Sequence, residues 1–240
     1  MLANNETGAI QPVAQAADIV HAAGGLLHVD AIQAHGKIPV VLGAVQADVL
    51  TLSAHKIGGP KGVGAVVLTE GLQGLEPLLR GGGQELGRRA GTENVAGISA
   101  FGAAANAAMA SLERDAGAAS EGLRDRLEDG LGQTPDVIVF SQDVQRLPNT
   151  ALFTVPGLKA ETAVIGFDLG GIAVSSGSAC SSGKVQPSHV LAAMGSARNW
   201  RTERCGSVWA GLPRRQALIW PFRLGESSPD ALLRGRRNTA

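Results

Sequence analysis

Apolar residues fall along this chain in short clusters separated by glycine, and the clusters alternate between two periods. After Ile10-Gln11-Pro12-Val13, small or apolar side chains recur at Ala16, Ala17, Ile19, Val20 and Ala23, and Gly24-Gly25 follows. That spacing predicts a helix with a glycine stop. Leu26-Leu27-His28-Val29, Val49 to Leu52 and Gly64 to Leu68 are short apolar runs of strand type, and Asp30 stands at the carboxyl end of the first. An alanine-rich stretch predicts a helix from near Val95 past Met109, reaching about Leu131 with a break near Gly117. Beyond Thr134-Pro135, Val137–Phe140, Thr150–Val155 and Ile172–Ser175 are predicted strands. Ala160–Leu169 is a predicted helix, and Ser188 is placed to cap another. Strand alternating with helix predicts an α/β fold with a largely parallel or mixed sheet. The helix–strand–strand–helix order after residue 111 predicts a second, smaller α+β domain over 112–195.

Composition narrows the class. At 240 residues, 44% of them hydrophobic and 33 of them glycine, the chain can bury a core and make many tight turns. Zero net charge gives no pull toward nucleic acid or an anionic membrane, so neither is an expected partner. No unbroken apolar run approaches the about 20 residues of a membrane span, and Met1 to Glu6 lack the features of a signal peptide. The two cysteines, Cys180 and Cys205, make no disulfide framework, which predicts a reducing, cytoplasmic setting. His21, His28, His35, His55 and His189 show no ligand spacing with them, so no metal site is expected. A Gly-x-Gly-x-x-Gly turn after a strand is missing, which disfavours a dinucleotide site.

Several residues have both a bland and a chemical reading. Lys56, in Ser53-Ala54-His55-Lys56 just after a strand, is either a solvated lysine or a desolvated nucleophile able to anchor an aldehyde. Asp30 is a turn residue or the partner of a protonated pyridine nitrogen. Gln33 is a surface amide or a donor to a ring oxygen. Ser53 and His55 shape a strand-end turn or donate to phosphate. Thr92 caps the helix that follows, or it donates to phosphate beside that helix start. Cys180, amid Ser176-Gly177-Ser178-Ala179-Cys180-Ser181-Ser182-Gly183, is an incidental surface cysteine or a nucleophile on a mobile loop.

Taken together these segments resemble the cysteine desulfurases, NifS/IscS-like members of the class V aminotransferase group of fold-type-I pyridoxal-phosphate enzymes. The residues that carry the resemblance include Asn4-Asn5-Glu6-Thr7-Gly8, His28-Val29-Asp30-Ala31-Ile32-Gln33 and Ser53 to Gly64. Arg88-Arg89-Ala90-Gly91-Thr92-Glu93-Asn94, the Cys180 loop and Pro187-Ser188-His189-Val190-Leu191 complete it, in family order over residues 1–195. The resemblance implies a partial, mainly parallel large domain over 1–111 that binds pyridoxal 5'-phosphate. It implies conversion of L-cysteine to L-alanine, with Lys56, Cys180 and His55 as catalytic residues. Asn5, Asp30, Gln33, Ser53, His55, Lys56 and Thr92 would bind the cofactor, Thr92 reaching the phosphate of a partner subunit in a homodimer. Cys180 would carry the sulfur as a persulfide toward an iron–sulfur scaffold or tRNA thiolation. A selenocysteine lyase, a C–S lyase or an inactive remnant are the alternatives.

Two departures qualify it. The family carries a Gly/Ala-Thr phosphate loop and a ring-stacking histidine ahead of Asn-Asn-Glu, so the chain is expected to be N-terminally truncated. In place of the family's Leu-Arg-x-Ser-Leu-Gly strand, the tail 196–240 crowds arginines with Trp200, Trp209 and Trp220. Codons exist for Glu203 to Trp209 that, read one base earlier, give Ala-Leu-Arg-Val-Ser-Leu. The tail is therefore expected to be disordered or frameshifted, a reading the gene's DNA tests.

Overall fold

The computed structural model describes residues 1–72, 75–176 and 188–195, and the backbone of 204–208. It separates into two compact units, Met1–Ala3 with Gln11–Arg114, and Asn4–Ile10 with Asp115–Ala240. The division falls three residues after the predicted 111/112 boundary. It also moves Asn4–Ile10 out of the first unit, which local patterning does not reveal.

In the first unit, α1 (Val13–Ala22) leads to β1 (His28–Asp30), a single helical turn α2 (Leu42–Val45), β2 (Val49–Ser53) and β3 (Gly64–Leu68). The three strands form a mixed sheet in the order β1-β2-β3. β1 and β2 are parallel, with Val29 opposite Leu50 and Asp30 opposite Thr51, whereas β3 returns antiparallel to β2. Parallel pairing is thus confined to one of the two ladders. Val29, Ala31, Ala34, Leu50 and Ala54 are buried around it. Asp48 Oδ2 accepts from Leu27 N at 2.7 Å and His21 Nε2 at 2.9 Å, which ties the end of α1 to the starts of β1 and β2. The Leu27 amide, then His21, hold the Asp48 carboxyl below its ordinary range.

The alanine-rich stretch forms two helices, α3 (Val95–Glu113) and α4 (Ala116–Gly132), parted at Asp115 in the left-handed region (φ 57°). α3 closes the first unit and α4 opens the second. By length and composition α3 could cross a membrane, contrary to the sequence expectation. Its apolar character is spread over alanine, glycine and serine and so shows no unbroken run. In this fold those small residues have a packing use. A side chain at Gly59 would meet Ala104 Cβ at 3.3 Å, and one at Gly36 would meet Ala108 Cβ at 3.0 Å.

In the second unit, β4 (Ile138–Val139) and β5 (Thr150–Thr154) pair antiparallel, and α5 (Ala160–Leu169) and α6 (His189–Ala193) follow. All five residues of β5 are buried. Alternation along the strand sends Phe153 to Leu131 and Ala163, and Leu152 to Phe140 and Leu191. Phe167 of α5 meets Phe153 edge-on, with ring centroids 6.1 Å apart. Ile172–Val174 is not a strand; only Ser175 takes part in a bridge. Within the tail, the backbone of β6 (Arg204–Val208) pairs antiparallel with β5, so this part of 196–240 is ordered as a strand. Its neighbour supplies the reason: β5 offers a free ladder edge that any extended segment can complete.

The segment Asn4–Ile10 is stitched into this unit by Ile10 N to Gln145 O at 2.9 Å and Leu147 N to Gly8 O at 2.8 Å. Beside it, Arg146 forms a bidentate ion pair with Glu128 at 2.6 and 2.8 Å, both side chains 5% exposed.

Candidate functional site

The first unit gathers most of the predicted site at one end of its parallel pair. Asp30 ends β1, and its Oδ1 accepts from Ile32 N at 2.9 Å, a bond that turns the chain out of the sheet. This is the bland reading of Asp30 realised on one oxygen; Oδ2 has no partner among the described residues. Opposite Asp30 in the ladder stands Thr51, and two residues later β2 ends at Ser53. The 3₁₀ turn Ala54–Lys56 follows and carries Lys56 off the same sheet end. In open α/β sheets the carboxyl ends of parallel strands are where ligands collect.

The Lys56 turn is tightly built. Ala54 N donates to Val63 O at 3.1 Å, and Ile57 N and Gly59 N both donate to Ala54 O, at 3.1 and 2.9 Å. Gly58 has φ 84°, a left-handed conformation glycine adopts without strain. Gly59 packs closely on Ala54 and Ala104, where a Cβ would stand 3.0 and 3.3 Å from their methyl carbons. Lys56 itself is half-buried. Ser53 Oγ and His55 Nδ1, the two predicted phosphate donors, are 2.7 Å apart and hydrogen-bonded to each other.

The segment after Asp30 folds back in a compact turn. Ala34 N and His35 N donate to Ala31 O at 3.0 and 2.9 Å, and Ile38 N donates to Ala34 O at 3.1 Å. Gly36 lies at φ 74°, where a Cβ would stand 2.7 Å from Ile57 Cγ2. The turn is therefore seated on the residue next to Lys56. Within it Lys37 Nζ donates to Gln33 O at 2.8 Å and to Gln33 Oε1 at 3.1 Å. Burial, and then the charge of Lys56, push Lys37 down from 10.5 to about 8. His35 Nε2 is buried without a hydrogen-bond partner among the described residues, and burial lowers its pKa.

Thr92 is exposed in the loop before α3. The helix cap it was weighed for is supplied by Asn94, whose Oδ1 accepts from Gly97 N at 3.1 Å. Asn5 belongs to the second unit, in a turn shaped by Asn4 Oδ1, which accepts from Glu6 N at 2.9 Å and Thr7 N at 3.0 Å. In that unit Ser188 does cap α6, accepting from Leu191 N at 3.0 Å, and it also donates to the buried Glu6 Oε2 at 2.6 Å. Cys180 and Cys205 sulfur chemistry cannot be placed in this geometry: Cys180 lies outside the described residues, and only the backbone of Cys205 is described. No cluster of three or more metal-ligating side chains occurs among the described residues.

Residues the sequence reading missed are Lys37, Gly36, Asn4 and Glu6. Lys37 follows Gln33 by four positions, a spacing that brings two side chains together across one turn.

A family model described as aminotransferase class V matches residues 1–214. This chain belongs to the class V aminotransferase family. A cysteine desulfurase of Cereibacter sphaeroides is 49% identical over 195 residues, covering 81% of this chain and 49% of the relative. One from Enterobacter agglomerans is 47% identical over 240 residues, covering 98% of this chain and 58% of the relative. Among solved structures, the NifS-like protein from Rickettsia africae ESF-5 superposes with a TM-score of 0.85 at 34% identity, covering 95% of this chain and 60% of that one. The chain thus spans about half the length of the curated relatives it matches, and its fold is a partial fold-type-I α/β domain with a second, α+β unit.

Proposed function

We propose that this class V chain forms part of a pyridoxal-phosphate-dependent cysteine desulfurase. The observation that carries the reading is the sheet end just described: a carboxylate on β1 and a lysine after β2, the two strands adjacent and parallel, with the turn that holds Gln33 packed through Gly36 on Ile57 beside the lysine. The donor set suits the cofactor. Asp30 keeps one carboxylate oxygen free for a ring nitrogen, Gln33 has amide hydrogens for a ring oxygen, and Ser53 and His55 would give up their mutual bond to hold phosphate oxygens. When bound, pyridoxal phosphate supplies an electron-withdrawing pyridinium ring.

The chain's own residues do the rest. Asp30 would hold the ring nitrogen protonated by charge. Lys56 would anchor the cofactor and move protons at the substrate carbon. His55 would work beside it and help hold the phosphate, and Asn5 would orient the substrate carboxylate. Thr92, exposed before α3, would reach the phosphate of a partner copy, which makes the working form a homodimer on this reading. Cys180, as a thiolate, would take the sulfur of L-cysteine: an S–S bond would form as the substrate's C–S bond breaks, the electron pair of that bond would stay on the carbon and take a proton there, and L-alanine would leave. The resulting Cys180 persulfide serves an iron–sulfur scaffold or tRNA thiolation in a reducing cytoplasm.

Adding pyridoxal phosphate to the protein should produce an absorbance band that Lys56→Ala abolishes. Sulfide released from cysteine under reductant should vanish in Cys180→Ala. A protein that binds no cofactor, or that binds it equally well as Lys56→Ala, overturns the reading.

A further inference from the structure

The Gln33–Lys37 contact has an asymmetry fixed by chemistry. A lysine ammonium carries three donors and no acceptor, whereas a glutamine amide has one end of each kind. An amide facing an ammonium at 3.1 Å therefore presents its oxygen, as Gln33 Oε1 does. The same ammonium grips the Gln33 backbone carbonyl at 2.8 Å, so side chain and main chain of Gln33 are held by one cation. Gln33 Nε2 then has both hydrogens free, and it donates to no group among the described residues. The platform beneath is rigid: Gly36 is wedged against Ile57 and Ala108, with Lys37 next in sequence.

Resting on the cofactor reading above, we infer that Lys37 is a positioning residue that acts through Gln33. Its ammonium fixes which end of the Gln33 amide points inward, and so makes Gln33 a hydrogen-bond donor, never an acceptor, toward the oxygen substituent of the pyridine ring. Without the cation the amide can turn over, and its oxygen would then face an electron-rich ring oxygen and repel it. Lys37 remains mostly protonated at neutral pH even though burial and Lys56 bring it down to about 8, so the grip holds under working conditions.

The test compares the absorbance maximum of bound pyridoxal phosphate in the full chain and in Lys37→Met, Gln33→Leu, the double variant and Lys37→Arg. Lys37→Met is expected to shift the maximum in the same direction as Gln33→Leu. The double variant should move it no further, and Lys37→Arg, a cation without an acceptor, should restore it. A purely structural lysine would lower thermal stability without moving the maximum. Where Lys37→Met does not fold, Lys37→Gln, whose amide can meet Gln33 with either end, should give an intermediate shift. A maximum unchanged in Lys37→Met or Lys37→Gln while Gln33→Leu shifts it, or additive shifts in the double variant, overturns the inference and leaves the cofactor reading standing. A wild-type protein with no band overturns both.

Discussion

Removing Arg146 should cost the second unit more than any other single side chain named above. Its guanidinium meets Glu128 through two bonds of 2.6 and 2.8 Å, and both side chains are 5% exposed. A surface pair of this kind would contribute about 0–1 kcal/mol. Here water cannot re-solvate the carboxylate when its partner goes. Gln142 Nε2, at 3.3 Å, is the one other donor to Glu128 among the described residues, too long and too neutral to replace an arginine. Arg146→Met is therefore expected to lower stability by about 3–5 kcal/mol, the usual range for orphaning a buried charge. Domains of this size are stable by only about 5–15 kcal/mol, so roughly half could go. Arg146→Met combined with Glu128→Leu should recover most of the loss, because the apolar pair carries no desolvation penalty. Urea unfolding at neutral pH, extrapolated linearly, measures all three variants. Amide exchange should also quicken in Asn4–Ile10, since Arg146 lies between the residues that hydrogen-bond this segment. A single variant within about 1 kcal/mol of wild type, or a double variant no better than the single, would refute the reasoning.

Three further outcomes follow. Gly36→Ala puts a Cβ 2.7 Å from Ile57 Cγ2 at φ 74° and should cost well over the about 1 kcal/mol of a left-handed alanine; Gly24→Ala, at φ 72° with open space around it, should cost only that, as thermal melting would show. Lys37 titrates near 8 when folded against 10.5 when unfolded, so above pH 8 the native state sheds its proton first. Stability should then rise between pH 8 and 10.5 by up to about 3 kcal/mol, and urea midpoints at the two ends should converge in Lys37→Met. Ser188→Ala removes both the α6 cap and the 2.6 Å bond to buried Glu6 and should cost about 2–3 kcal/mol by denaturant titration, whereas a loss under about 0.5 would show the bond to be idle.

What could be read in advance was local. Ala160–Leu169 and Thr150–Thr154 appear where their periods place them, because each has a single buried face or is buried outright. The Ser53–Lys56 turn was legible as a strand end followed by glycines. The single turn α2 was not: four residues are too few to show a period. Asp30 shows that a turn role does not use up a carboxylate: one oxygen makes the turn, and the other has no partner among the described residues. Lys37 escaped notice because its character comes from burial and from Lys56, which stands nineteen positions on in sequence. Thr92 and Asn94 are both good capping types, and only geometry selects Asn94.

The crossing of the chain between units has a consequence for synthesis. Asn4–Ile10 is synthesised well before the groups that receive it, Gln145, Leu147 and Ser188. The bond from Ser188 to Glu6 closes a separation of 182 residues. The first unit can complete its three-stranded sheet before those groups exist, and such long loops close late. A nascent chain halted before Gln145 would hold the lysine turn in finished form with Asn4–Ile10 not yet seated, so a segment translated before the first sheet is folded after it.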